Sequence, residues 1–225
     1  KDKLRKERLD KIENSILRHI EGLNTEYIDE LLETCILSRA LERPKTEVEA
    51  RFKRAIRECN AHGSKQQMYN IVYEHAWTSF FWYEDIEAVR CDYNTLKSFL
   101  EELCNVTRIE KFTNILNNIV NSVKAGMISE DFIKSEINYI YNLEKKLKKD
   151  SNHNSSLLYL QIYIHEQYII EHVDDKEELN NAIKEIKPLL IESASHLEIS
   201  IEAHYKIIKM LSSFVGENKD LEILI

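Results

Sequence analysis

The stretch that decides the fold is residues 64–83, which read S-K-Q-Q-M-Y-N-I-V-Y-E-H-A-W-T-S-F-F-W-Y. It contains no Gly or Pro, and Ser64 with Gln67 has the spacing of a capping box at a helix start. Such a stretch is too long for a strand and predicts a helix. Aromatic residues recur at every fourth position along one face: Tyr73, Trp77 and Phe81. Because apolar residues also lie on the other faces, this helix is predicted to pack on several sides near the centre of the molecule.

The rest of the chain repeats this pattern of apolar stripes joined by short polar connections. Four Gly and two Pro in 225 residues leave few positions that could break a helix. We predict an all-α fold of about ten antiparallel helices in helical hairpins, arranged as an α-α solenoid or an irregular bundle. Pro188 is expected to kink the ninth helix or to split off its last turn. The predicted helices are about 4–20, 25–43, 46–62, 65–83, 86–103, 107–124, 129–149, 157–172, 176–192 and 197–214.

The predicted helix starts recur with a regular period. Starts near residues 64, 107, 153 and 196 are separated by roughly 43 to 46 residues, as in two-helix repeats. We therefore predict a three-helix N-terminal adapter over residues 1–63, a helical-hairpin repeat array over 64–217 and a tail over 218–225. Capping-box spacing occurs at three further predicted starts: Thr46 with Glu49, Thr107 with Glu110, and Ser195 with Glu198.

Residues 69–100 resemble a degenerate tetratricopeptide unit. Three positions match the pattern of that family: Ala76, Phe80 and Ala88. Ser79 and Asp92 stand where the pattern has aromatic residues, and the closing proline is missing. HEAT-like hairpins fit the same rhythm equally well. Either resemblance implies a helical-repeat scaffold or sensor domain that binds proteins or peptides.

Composition and charge narrow the classes of function. The formal net charge of -8 disfavours nucleic acid as the main partner. No apolar run is long enough for a membrane span, and four scattered cysteines indicate reduced thiols in a cytoplasmic protein. No cofactor is expected, because the sequence has no Gly-rich phosphate loop. The absence of an initial Met and the apolar end of the chain lead us to expect a piece excised from a larger regulatory protein. The oligomeric state is not indicated.

Two sets of residues are predicted to bind a partner. The first lies along the eighth helix and comprises Tyr159, Gln161, His165, Tyr168 and His172. The polar members of this set form a stripe that is either a partly buried polar seam or the lining of a concave groove. The second set is Trp82 with Tyr83, which end an aromatic run over residues 77–83 that is either packed in the core or a binding surface. These two residues lie beside a short turn and are expected to be the most exposed of the run. No metal site is predicted, because His165 and His172 lie two helical turns apart.

Arg57 and His62 carry the main alternative, which is catalysis. Their Arg-x4-His spacing resembles that of HEPN-type ribonucleases, in which such a pair would stabilise charge and transfer a proton at a phosphodiester. His62 beside Gly63 is also a natural partner for the end of a helix dipole. The leading hypothesis is a non-catalytic protein-interaction module, and a purely structural connector is the third possibility.

Overall fold

The computed structural model describes residues 1–18, 25–126, 129–172 and 174–200, together with residues 205, 208 and 209. Within these residues the chain is all-α, with no strand, which confirms the predicted fold class. A single 3-10 turn, Ser151–His153, precedes the eighth helix. The helices are α1 Asp2–Arg18, α2 Thr25–Ala40, α3 Lys45–His62, α4 Lys65–Tyr83, α5 Ile86–Glu102, α6 Val106–Lys124, α7 Glu130–Leu147, α8 Asn154–Glu171 and α9 Lys176–Ser193.

The predicted tenth helix and tail mostly fall on residues outside the described part of the chain. Residues 197–200, which were expected to begin that helix, form turns and a bend instead. The helix start predicted from Ser195 and Glu198 is therefore wrong, although residues 205, 208 and 209 are helical. Nothing is described of the tail at 218–225.

The start of α4 is as predicted. The Ser64 hydroxyl accepts a hydrogen bond from the backbone N–H of Gln67, and the Gln67 side chain accepts one from the Ser64 backbone in return. Each cap of this kind contributes about 1 kcal/mol to helix stability. The reciprocal pair explains why α4 begins at the predicted residue.

Two other predicted caps are wrong. Pro44 precedes α3, and its fixed φ leads the chain into the helix without a side-chain cap, so Thr46 already lies inside. Before α6, the Asn105 side chain accepts from the backbone N–H of Arg108 at 3.0 Å, so Thr107 is also inside its helix. In both cases the N-cap residue lies two positions before the predicted cap, Pro44 instead of Thr46 and Asn105 instead of Thr107.

Pro188 does not divide α9. The helix continues through it to Ser193, so the predicted separation of the last turn is wrong. Pro188 is exposed, which keeps the proline ring clear of the packed face. That face is formed by buried residues on one side of α9: Leu179, Ala182, Ile183, Ile186 and Leu190.

The chain divides into two compact units. One comprises Lys1–Glu102 with Asn114–Ala125, and the other comprises Leu103–Thr113 with Gly126–Ile225. In the first unit, α4 contacts α2, α3 and α5, in agreement with a helix packed on several sides. In the second unit, α8 contacts α7 and α9. The predicted boundary between residues 63 and 64 and the predicted repeat array stay predictions.

The core of the first unit joins the N-terminal helices to α4. Its buried apolar residues are Ile12, Ile16, Tyr27, Ile28, Leu31, Cys35, Val48, Phe52, Ala55, Cys59 and Ile71. Gly63 lets the chain turn tightly from α3 into α4, because a Cβ there would lie 2.9 Å from the carbonyl oxygen of Cys59. In the described ranges, no helix combines the length and apolar character needed to cross a lipid bilayer.

Candidate protein-interaction site

The C-terminal half of α4 carries an aromatic cluster, which comprises Tyr73, Trp77, Phe80, Phe81 and Trp82. The ring centroids of Tyr73 and Trp77 are 6.0 Å apart, and those of Trp77 and Phe81 are 4.4 Å apart. These contacts follow from residues four apart lying above one another on a helix. Phe81 is 50% exposed and Trp82 is 42% exposed. Two consecutive residues, Phe81 and Trp82, therefore reach solvent, and their side chains leave the helix about 100° apart.

The opposite face of α4 explains why Tyr73, Trp77 and Phe81 are turned outward. Small or medium side chains are buried there, among them Val72, Ala76 and Ser79. Short side chains allow neighbouring helices to approach closely, so this face packs inside the unit. The aromatic face is turned away from it. Core packing, one of the two interpretations of the aromatic run, is wrong for Phe81 at this end of α4.

Arg39 of α2 holds Trp82 in place. Its guanidinium carbon lies 5.0 Å from the centroid of the Trp82 ring. The guanidinium is itself fixed, because it donates to the Thr78 hydroxyl at 2.8 Å and forms an ion pair with the Glu74 carboxylate at 2.7 Å. A cation over an aromatic face is attracted to the ring. An arginine that is mostly buried and already ion-paired loses little further conformational entropy when it stacks. Trp82 is thus oriented before any partner arrives.

Tyr83, the other predicted binding residue of this region, is turned inward. Its hydroxyl is buried and has no hydrogen-bond partner among the described residues. Burial raises the pKa of this hydroxyl above its ordinary value. The Lys45 ammonium lies 5.1 Å from the Tyr83 ring and is 2.9 Å from the Asp85 carboxylate. Tyr83 therefore supports the end of α4, whereas Trp82 offers contact area.

His75 of α4 is bound by two carboxylates. His75 Nδ1 is 2.6 Å from Asp92 of α5, and His75 Nε2 is 3.2 Å from Glu49 of α3. The Phe52 ring packs edge-on to the imidazole at a centroid distance of 5.0 Å. We call these residues the His75 clamp: His75, Asp92 and Glu49. When the imidazole is protonated, both of its N–H groups donate to a carboxylate, so α4 is tied to α3 and α5.

Electrostatics favour the charged form of His75. Burial disfavours the charge, but the hydrogen bonds and negative charges of Asp92 and Glu49 outweigh it and raise the pKa of His75 above its ordinary value. Burial also raises the pKa of Asp92, against the hydrogen bond from His75. The two carboxylates lie at opposite nitrogens of the ring and do not converge on one point. Among the described residues, no group of three or more His, Cys, Asp or Glu side chains is arranged to hold a metal ion.

The residues predicted on α8 make contacts within their own unit. Gln161 donates to Glu144 of α7 at 3.2 Å, and the Tyr168 hydroxyl donates to Glu178 of α9 at 2.7 Å. His165 lies 3.8 Å from Glu185 of α9. The remaining members of the set are Tyr159, which is buried, and His172, whose ring stacks on Tyr168. These contacts match the polar seam, and binding of a partner along this stripe stays a prediction.

Arg57 and His62 lie on the exposed surface of α3. The Arg57 guanidinium donates from two nitrogens to the Glu58 carboxylate, at 3.1 and 2.8 Å. His62 is the last residue of α3. A carboxylate already bound to Arg57 would stand close to any phosphodiester placed there, and like charges repel. The geometry gives catalysis at this pair no support, and the ribonuclease alternative stays a prediction.

The sequence contains no signal for the groups that organise the site. Arg39 and Glu74 are 35 residues apart, and they meet because α2 packs on α4. His75 is 26 residues from Glu49 and 17 from Asp92. No local spacing rule connects residues so far apart. Comparison of the chain with protein-family models, with curated proteins and with solved structures gave no match.

Proposed function

We propose that this chain is a protein-interaction module without catalytic activity of its own, and that the aromatic cluster of α4 is its contact surface. One observation carries the proposal, which is the exposure of two large aromatic residues, Phe81 and Trp82, at the C-terminal end of α4. A single exposed apolar residue is ordinary on a protein surface. Two large exposed aromatic residues at one end of a helix, Phe81 in contact with further aromatics and Trp82 stacked on an arginine, are typical of surfaces that bind another protein.

The chemistry of the surface indicates the kind of partner. The charged groups beside the aromatic cluster are already paired, Arg39 with Glu74 and Lys45 with Asp85. They offer little net attraction to a charged ligand. The exposed parts of Phe81 and Trp82 amount to roughly 200 Å², which would contribute roughly 5 kcal/mol before the costs of association. The partner we propose is a protein segment that presents apolar or aromatic side chains.

Orientation of Trp82 also favours binding. Binding hot spots are enriched in Trp and Arg, and they lie in positions that are ordered in advance. Arg39 stacks on Trp82, which fixes the orientation of the ring and places a polar group beside the proposed contact. Truncation of Trp82 is therefore expected to weaken binding more than truncation of an equally exposed aromatic elsewhere.

Selection of short peptides from a random display library on the purified chain tests this proposal. Enriched peptides are expected to contain apolar and aromatic residues, and Trp82→Ala should weaken their binding by about thirtyfold or more in calorimetric titration. Phe81→Ala should weaken it to a smaller extent. The matched control is Tyr141→Ala on α7, because Tyr141 is 45% exposed and lies in the other unit.

Two outcomes would overturn the proposal. One is that no peptide is enriched, which is the result expected of a structural connector. The other is that enriched peptides bind Trp82→Ala and Tyr141→Ala equally well. Circular dichroism and urea unfolding of each variant establish that the fold is retained, since these side chains lie at the surface and contribute little to the core.

A further inference from the structure

A cavity of about 180 Å³ lies among the three N-terminal helices, within the first unit. It is separate from the aromatic cluster of α4. Its lining residues come in pairs from each helix: Glu13 and Ile16 of α1, Leu31 and Thr34 of α2, and Arg51 and Arg54 of α3. A cavity of about 150 Å³ in another protein admits benzene, so this one has room for roughly six to eight non-hydrogen atoms.

The cavity has an apolar wall and a polar rim. Ile16 and Leu31 are buried apolar residues. The Thr34 hydroxyl donates to the carbonyl oxygen of Leu31 at 2.7 Å, so it has no proton left to offer a ligand. An apolar wall of this kind suits a hydrocarbon body rather than a sugar or a polar headgroup.

The two arginines of the rim differ in how their charges are balanced. Arg51 forms ion pairs with Glu13 and with Glu47. Its Nε is buried and has no hydrogen-bond partner among the described residues. Arg54 donates to the Tyr27 hydroxyl at 3.3 Å, and within the described part of the chain no carboxylate pairs with it. Arg54 is therefore the arginine of the rim that has no direct ion-pair partner among the described residues.

We propose that this cavity binds a small organic monocarboxylate whose apolar body has about five or six carbons. The carboxylate is bound by the Arg54 guanidinium, since guanidinium groups match carboxylates in geometry. The hydrocarbon body packs on Ile16 and Leu31. Glu13 lies on the same rim and repels a second negative charge, which favours a monoanion over a dicarboxylate.

Methyl NMR titration of the full chain with hexanoate tests this site. The methyl signals of Ile16 and Leu31 are expected to shift and saturate with a dissociation constant on the order of 1 mM. Hexan-1-ol, which has the same body without the charge, should bind about tenfold more weakly. Hexylamine and inorganic phosphate should produce no saturable shift, because one has the wrong charge and the other has no apolar body.

A pair of variants on one helix assigns the charge recognition to Arg54. Arg54→Gln should weaken hexanoate binding about tenfold and leave hexan-1-ol binding unchanged. Arg57→Gln, on the same helix and with the same loss of charge, lies outside the cavity and should change neither. The proposal is overturned if hexanoate gives no saturable shift, if it binds no better than hexan-1-ol, or if both variants weaken it equally. Arg54 and Arg57 are both exposed, so neither substitution disturbs the core.

Discussion

His75 and His165 both lie close to carboxylates of other helices, but their contacts differ in distance and in burial. In the His75 clamp, the imidazole is 15% exposed and both nitrogens lie within 3.2 Å of carboxylates from other helices. At His165 the nearest carboxylate, that of Glu185, is 3.8 Å away and 69% exposed. Water screens the second contact and is largely excluded from the first. Burial and the number of partners therefore decide whether a charged contact holds helices together.

The largest effect is expected from removing the apolar support of the His75 clamp. Phe52 is fully buried and packs against the His75 ring. Phe52→Ala should lower the free energy of unfolding by about 4 kcal/mol, because it leaves a cavity and loosens the histidine. Urea denaturation followed by circular dichroism measures this change. A loss below about 1 kcal/mol would show that the region repacks and that the clamp does not depend on Phe52.

Removal of each histidine in turn tests the comparison directly. His75→Leu keeps the side-chain volume but leaves Asp92 and Glu49 without a donor, so unfolding free energy should fall by about 3 kcal/mol. His165→Leu, the matched control, should change it by about 0.5 kcal/mol or less. Both values come from urea unfolding at pH 6. Equal losses in the two variants would contradict the distinction drawn between the two contacts.

The His75 clamp should also make stability depend on pH. The pKa of His75 is raised in the folded chain, so its contribution is complete below the unfolded value near 6.5 and is lost as pH rises through the folded value. The groups facing it are Glu49 of α3 and Asp92 of α5, with Asp85 nearby between α4 and α5. All three are carboxylates.

Unfolding midpoints measured from pH 6 upward follow this loss. The wild-type chain should become less stable as His75 loses its proton, since a neutral ring has one N–H for two carboxylates. His75→Leu should show a flatter profile across the same range, whereas His165→Leu should follow the wild type. Parallel profiles for the wild type and His75→Leu would refute the assignment.

The sequence predicted the helices better than it predicted the contacts between them. The start of α4 follows from a local signal, the capping box of Ser64 and Gln67. The same signal failed at Thr46 because the neighbouring Pro44 begins the helix earlier. Local spacing is sufficient for a helix end, since all the interacting groups lie within one turn.

The candidate site depends on contacts between helices, and these were not predictable. Trp82 was expected at the surface from its position beside a turn, and its exposure agrees with that. Its orientation requires Arg39, whose position is set by the packing of α2 on α4. The exposure of Phe81 has the same origin, because a helix with apolar residues on every face does not reveal which face is left uncovered.

The smallest effect is expected at Tyr168, on the weaker side of the comparison. Its hydroxyl donates to Glu178 at 2.7 Å, which is as short as many buried hydrogen bonds, and that carboxylate raises the pKa of Tyr168. The contact is exposed, so water replaces the lost partner when Tyr168→Phe removes the hydroxyl. The urea midpoint should remain within the scatter of repeated measurements. A midpoint lowered as far as in His75→Leu would show that distance rather than burial decides the strength of these contacts, because Tyr168 has the short distance without the burial.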